Sequence, residues 1–208
     1  MNFIDSLITE FDRGLRTVFA PATGRRVLAE LDVIAEPMAS SEKTESGRLM
    51  RVNHTGEICA QALYQGQALV ARDTEIREVL LAAADEERDH LAWCERRLDD
   101  LGASTSILNP LWYAGSFSLG LVSGVLGDKW SMAFLVETER QVERHLDSHL
   151  QRLPASDIRS RHVLEAMRED EIRHGDAGEA HGAAPMPLAV KAAMGVVSKM
   201  MTRTAYWV

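Results

Sequence analysis

Apolar residues recur at helical spacing along most of this chain. Near the N-terminus they predict an amphipathic helix over residues 3–19, which Pro21 ends. The apolar face of this helix consists of Ile4, Leu7, Ile8, Phe11, Leu15, Val18 and Phe19. Residues 21–45 have no comparable period and are interpreted as linker and loop.

Four longer helices follow from the same spacing. The pattern predicts helices over residues 47–72, 74–101, 128–153 and 155–181, and a last helix over 188–205. Asp73 can cap the second of the four, and Gly102 can end it in the left-handed conformation. No stretch alternates with a period of two for long enough to indicate a strand. The expected fold is therefore all-α.

Between the second and third long helices lies a segment without charged side chains, residues 101–127. Its serines and Pro110 make it a poor membrane-spanning helix, so we expect a loose helix over 111–127 or a partly immersed hairpin. We divide the chain into an N-terminal helix and linker (1–45), a bundle that includes this segment (46–183) and a C-terminal helix (184–208).

Composition excludes several classes of protein. A net charge of -8 argues against a nucleic-acid partner, which would need a concentrated cationic face. Cys59 and Cys94 form no CxxC pair and are expected to be free thiols. Asp5, Glu10 and Asp12 interrupt the region where a signal peptide needs apolar residues, so a cytosolic chain is expected.

The candidate chemistry is a duplicated pattern of glutamate and histidine. Two Glu-x-x-His pairs occur, Glu87 with His90 and Glu171 with His174, and residues three apart share one helix face. A further glutamate precedes each pair on the preceding long helix: Glu57 lies 30 residues before Glu87, and Glu139 lies 32 residues before Glu171. This is the ligand set of dimetal carboxylate bundles, in which two helices supply one Glu each and two supply Glu-x-x-His.

Helical phase selects among the acidic residues of each helix. Glu139 falls within the apolar stripe of its helix, whereas Glu137 is predicted to point nearly opposite. Glu87 lies at the centre of its stripe, and Glu86 and Asp89 are predicted to face away. The choice of Glu57 depends more on spacing, because its helix is apolar on more than one face.

Charge balance indicates what these residues bind. Four inward carboxylates carry -4, which two divalent ions would neutralise, and the histidines would complete the donor set. Oxygen and nitrogen donors without thiolate favour iron or manganese over structural zinc. The alternative is that the glutamates are solvated and the histidines only fill space. We interpret a second histidine pair, His145 and His149, as a surface pair.

At these motifs the sequence resembles the demethoxyubiquinone hydroxylase family, di-iron enzymes with a ferritin-like four-helix bundle. The resemblance covers about residues 45–208. It rests on RVNHTGEICAQALYQGQ, DEERDHLAW, NPLWYAGSFSLGLVSGVLG, VETERQVERHL and EDEIRHGDAG. HTGE and Leu146 depart from the pattern of many relatives without touching the candidate ligands.

The resemblance implies both a site and a reaction. The implied metal ligands are Glu57, Glu87, His90, Glu139, Glu171 and His174, the same six that spacing and phase select. Asn53 and Tyr64 share the helix face of Glu57 and are candidates to contact the ligands without binding metal themselves. The implied cofactor is a pair of Fe²⁺ ions, with O₂ as co-substrate and an external reductant, for which NADH is a candidate. The implied reaction is hydroxylation of the ring of a polyprenylated methoxy-benzoquinol (demethoxyubiquinone).

Two other classes remain open. The same ligands could serve a ferritin-like ferroxidase, or another di-iron oxidase such as a tRNA hydroxylase or a rubrerythrin-like peroxidase. A non-enzymatic membrane-binding protein is a third reading, but it leaves the six ligands without a purpose.

A polyprenyl quinol lives in the bilayer, so we expect peripheral attachment to the cytoplasmic face of the cell membrane. No acidic residue follows Glu179, and Lys191, Lys199 and Arg203 make the last helix basic. Trp112 suits an interface, and we expect the glycines of the 101–127 segment to let helices part around a prenyl tail. The quinone channel should run between these two elements. A homo-oligomer or a complex with other ubiquinone-biosynthesis proteins is a further expectation.

Overall fold

Helices make up the fold of the described part of the chain, residues 3–33 and 36–208 of a computed structural model. The helices are α1 (Phe3–Phe19), α2 (Ser40–Val70), α3 (Thr74–Leu101), α4 (Asn109–Leu126), α5 (Asp128–Arg152), α6 (Ile158–Ala180) and α7 (Leu188–Trp207). A short 3-10 helix spans Ala29–Asp32 between α1 and α2. This part contains no strand, which confirms the all-α prediction.

A ferritin-like bundle is formed by α2, α3, α5 and α6. Helices α2 and α3 are joined by a short turn and pack together, as do α5 and α6, while α4 lies along α2 and connects the two pairs. Two buried apolar clusters fill the interior, one around Leu49 and Leu98 and the other around Leu80 and Leu135. Each of α2, α3 and α5 contributes apolar residues to both clusters. The candidate ligands on these three helices lie between the two clusters.

The turns between helices follow the capping residues. Asp73 accepts a hydrogen bond from the Glu75 amide at 2.8 Å and starts α3. Gly102 ends it at φ 67°, as the sequence predicted. The Asp128 carboxylate at the start of α5 accepts from the amides of Arg72 (3.1 Å) and Asp73 (3.0 Å), and so ties the α2–α3 turn to α5.

Helix α2 begins earlier than its apolar period indicates. It starts at Ser40, seven residues before the predicted position 47. The Glu42 carboxylate accepts a hydrogen bond from the Ala39 amide at 2.8 Å, which satisfies a donor at the helix start. This first turn is polar, so a search for apolar residues at helical spacing does not find it.

The glycines between α2 and α4 bring the two helices together. A Cβ at Gly66 would lie 2.4 Å from the Phe117 carbonyl oxygen, and one at Gly120 would lie 2.2 Å from the Leu63 carbonyl oxygen. The expectation that glycines here let helices part is therefore wrong. Their missing side chains allow backbone to pack on backbone.

Helices α1, α4 and α7 carry apolar residues on the outside of the molecule. On α1 these include Phe11 and Phe19, each about 70% exposed, whereas α7 fully buries Ala205 alone among its described residues. The side chains of Ile4 and Leu7, part of the predicted α1 face, lie outside the described part of the structure. None of the helices described is both long and apolar enough to cross a membrane.

Candidate metal centre

The six predicted ligands meet in the middle of the bundle. One residue comes from α2 (Glu57), one from α5 (Glu139), and two each from α3 and α6; all six are at most 7% exposed. Their ligand atoms form two groups, each within 4.8 Å. The groups share Glu87 and Glu171; the first adds Glu57 and His90, and the second adds Glu139 and His174. The two shared carboxylates could therefore contribute to both groups.

The two groups are arranged alike. His90 Nδ1 lies 3.0 Å from Glu87 Oε2 and 3.6 Å from Glu57 Oε2. His174 Nδ1 lies 3.5 Å from Glu87 Oε1 and 3.4 Å from Glu139 Oε1. In both imidazoles, Nδ1 faces the glutamates of the cluster and Nε2 points away from the cluster.

A carboxylate from the facing helix contacts each outward Nε2. His90 Nε2 lies 2.8 Å from Asp170 Oδ2, and His174 Nε2 lies 3.2 Å from Glu86 Oε2. An Nε2–H that donates to a carboxylate leaves Nδ1 free to bind metal, the arrangement usual for metal-ligating histidine.

The sequence pattern did not identify Asp170, and it wrongly predicted that Glu86 faces away from the site. Each directly precedes the glutamate of a Glu-x-x-His pair, so the doublets Glu86–Glu87 and Asp170–Glu171 were the available signal. Asp89, also predicted to face away, is buried because the linker before α2 covers it.

The two candidate supporting residues differ in their contacts. Tyr64 is fully buried and donates its hydroxyl hydrogen bond to Glu139 Oε1 at 2.5 Å. Asn53 instead accepts through Oδ1 from His149 Nδ1 at 2.8 Å, and its Nδ2 lies 3.8 Å from Met50 Sδ. Asn53 therefore orders a neighbouring histidine.

Burial and charge divide the four carboxyl groups into two kinds. Burial raises the pKa of Glu57 and of Glu139 well above the usual range, and the neighbouring glutamates add to this. Burial acts the same way on Glu87 and Glu171, but the imidazoles of His90 and His174 outweigh it and lower both pKa values. Burial would lower the pKa of the two histidines, yet the surrounding carboxylates raise both.

Unpartnered buried atoms mark the cluster as a cation site. Glu87 Oε1, Glu139 Oε2, both carboxylate oxygens of Glu171 and His174 Nδ1 are buried without a hydrogen-bond partner. Such atoms normally cost free energy unless a partner satisfies them. These five atoms lie together on the candidate ligands, so the residues present fit divalent metal ions with oxygen and nitrogen donors.

An apolar cavity of about 290 Å³ lies beside this cluster and reaches Glu57. It is bounded by α2, α4, α5 and α7. Its walls include Leu63, Trp112, Phe134, His145 and Val197. The cavity lies between α4, which belongs to the uncharged segment, and α7, the last helix, where a quinone channel was expected. Glu57 lines it, and Glu139 is not among its lining residues.

One expectation about α5 is wrong. His149 is buried against Asn53 rather than at the surface, with its ring 3.9 Å from that of His145, and burial lowers its pKa to about 2. Glu137 points away from the ligand cluster, as predicted, and is buried there because α7 covers it and Lys191 Nζ lies 2.9 Å from its carboxylate. Helical phase within α5 gave no sign that another helix packs on its outer side.

Comparison with known proteins agrees with this geometry. The family model for the ubiquinone biosynthesis protein COQ7 matches residues 44–205. A 3-demethoxyubiquinol 3-hydroxylase of Nitrosomonas europaea is 56% identical over 205 residues, covering 99% of each chain. Proteins of that name from Nitrosomonas eutropha (99% of each chain) and Dechloromonas aromatica (97% of this chain and 98% of the relative) are each 55% identical. The chain therefore belongs to the ubiquinone biosynthesis protein COQ7 family.

Proposed function

We propose that this chain is an O₂-dependent monooxygenase that hydroxylates the ring of demethoxyubiquinol, the reaction for which its relatives are named. The observation that carries the proposal is a buried cluster of four glutamates and two histidines that opens onto an apolar cavity. A ferroxidase would need the cluster but not the cavity.

Two Fe²⁺ ions are the proposed cofactor, and with O₂ and electrons from an external reductant such as NADH they would supply the oxidising chemistry. Glu57 and His90 would hold one ion and Glu139 and His174 the other, each histidine through Nδ1, and the carboxylates of Glu87 and Glu171 would contribute to both. Tyr64 would hold Glu139 in place. The apolar walls around the cluster would exclude water from the reacting ring.

The cavity offers the quinol ring two polar atoms. Trp112 Nε1 and His145 Nε2 are buried without a hydrogen-bond partner, and both residues line the cavity. Burial lowers the pKa of His145 to about 4, so its ring is neutral near pH 7 and can accept a hydrogen bond. We propose that the Trp112 N–H donates to a ring oxygen and that His145 accepts from a ring hydroxyl.

The prenyl tail would leave between α4 and α7 toward lipid. Both helices carry exposed apolar side chains there, including Val122, Val125, Val196 and Met200. With the exposed face of α1 they form one candidate membrane surface, and Lys199 and Arg203 would contact anionic headgroups. We propose peripheral attachment to the cytoplasmic face of the cell membrane.

Quinone profiling of a deletion strain tests the reaction. Expression of this chain should abolish accumulation of quinone lacking one methoxy group. Glu139→Ala should restore that accumulation and lower the iron content of the purified protein. Glu143→Ala is the matched control, since Glu143 lies one turn further along α5 in a surface ion pair with Arg168. Equal quinone profiles and iron contents for both variants would refute the assignment.

Flotation with liposomes that contain anionic lipid tests the membrane surface separately. Changing Lys199 and Arg203 to Glu should reduce binding strongly, and truncation after Pro187 should reduce it further. Lys191 is left unchanged because it pairs with Glu137 inside the protein. Undiminished flotation of both variants would exclude α7 as a membrane contact.

A further inference from the structure

The linker between α1 and α2 is fixed against α3. Trp93 Nε1 donates to the Arg26 carbonyl at 3.1 Å, and Asp89 Oδ1 accepts from the amides of Arg25 and Arg26. At Gly24 a Cβ would lie 2.9 Å from Asp89 Oδ1 and 3.3 Å from the Ala92 Cβ, so the linker runs against α3 at this point. This path determines where the side chain of Arg26 can reach.

Arg26 contacts the outer partner of one histidine. Its Nη1 lies 2.6 Å from Asp170 Oδ2, the same oxygen that lies 2.8 Å from His90 Nε2. Its guanidinium also lies 5.0 Å from the centre of the Trp93 ring, which is 5.3 Å from the His90 ring. The linker therefore reaches the ligand cluster through the Asp170 carboxylate and through the Trp93 ring.

The second histidine has no such cover. Its outer partner Glu86 has a side chain 35% exposed, against 5% for Asp170, and the cation beside it is Arg173 at 3.4 Å. Arg173 also contacts Asp170, so Asp170 is held by two guanidinium groups. The two halves of the duplicated motif thus have similar candidate ligands, but the outer carboxylates that contact their histidines differ in burial and in the cations beside them.

We propose that Arg26 is a positioning residue: it fixes Asp170 and, through it, His90, so that the ion held by Glu57 and His90 is released more slowly than the ion held by Glu139 and His174. The inference rests on the proposed dimetal centre. The physical basis is that the Arg26 guanidinium holds the Asp170 carboxylate, which in turn keeps the His90 imidazole in one orientation. Residues that hydrogen-bond to metal ligands typically change metal affinity by about 10–100-fold.

Metal release from the full chain tests the proposal without any turnover. The protein is loaded with two Co²⁺ ions and challenged with excess chelator, and the release is followed by absorbance. The wild type should show a slow and a fast phase. His90→Ala should abolish the slow phase and His174→Ala the fast one, which assigns each phase to its half of the site.

Arg26→Ala should accelerate the slow phase by about tenfold and leave the fast phase within about twofold. Arg26→Lys, which keeps the charge, should restore part of the difference. Arg25→Ala is the matched control, because the exposed Arg25 side chain pairs with Asp85 and not with Asp170.

Three outcomes would overturn the inference: an unchanged slow phase in Arg26→Ala, equal acceleration of both phases, or the same acceleration in Arg25→Ala. A wild-type chain that binds no metal would instead overturn the proposed function, and the inference with it.

Discussion

Metal binding to this cluster should release about four protons for two divalent ions at neutral pH. Two of them would come from Glu57 and Glu139, because a raised pKa favours the carboxylic acid in the metal-free protein and metal binding requires the carboxylate. The other two would come from His90 and His174, each of which must lose the proton on Nδ1 to bind an ion. Glu87 and Glu171, with lowered pKa values, are already ionised and contribute none.

The charges support this number. Two carboxylates balance two imidazolium ions in the metal-free cluster, and four carboxylates balance two divalent ions in the loaded one. Each released proton makes binding weaker by about 1.36 kcal/mol for every unit that the pH falls. The combined binding free energy of the two ions should therefore fall by about 5 kcal/mol per pH unit while all four groups are protonated in the free protein.

Calorimetric titration with Co²⁺ in buffers of different ionisation enthalpy measures the released protons directly. Glu57→Gln and Glu139→Gln should each reduce the number by about one, because an amide has no proton to lose. Glu143→Gln should leave it unchanged. Release of two protons or fewer by the wild type would contradict the division of the carboxyl groups argued here.

Three further substitutions test separate contacts. Tyr64→Phe removes the hydrogen bond to Glu139 and should lower the unfolding free energy of the metal-loaded protein by about 1.5–3 kcal/mol in chemical denaturation. Gly120→Ala forces a Cβ onto backbone and should destabilise the protein by more than about 2 kcal/mol, whereas Gly115→Ala, with open space around it, should be neutral or stabilise it by up to about 1 kcal/mol. Trp112→Phe should raise the KM for the quinol about fivefold through loss of about 1 kcal/mol of hydrogen bonding, and an unchanged KM would exclude that donor.

The bundle was predictable because its information is local and periodic. Apolar spacing found each α-helix of the described residues, although it placed the start of α2 seven residues too late, and Asp73 and Gly102 marked ends that capping chemistry explains. The six clustered residues were predictable for a related reason. Each Glu-x-x-His pair must share one helix face, and the preceding glutamates repeat at nearly the same distance.

What the sequence did not predict depends on contacts between distant segments. Helical phase placed Glu137 away from Glu139, but nothing within α5 shows that α7 buries it. Asp170 is an outer residue of its own helix and becomes a partner of His90 only where α3 and α6 meet. The linker contact of Arg26 spans 144 residues of sequence and leaves no periodic signal.

The close contact between α2 and α4 has a consequence for how the cavity can change size. Helices α2 and α4 touch through their backbones at Gly66 and Gly120, so no side chain at this contact can rearrange to change the distance between these two walls. The opposite wall, α7, is held mainly near its C-terminal end, where Ala205 is buried, and by the ion pair of Lys191 with Glu137. A bulky guest would therefore be accommodated by displacement of α7 at its N-terminal half, where Lys191 pairs with Glu137, rather than by separation of α2 and α4.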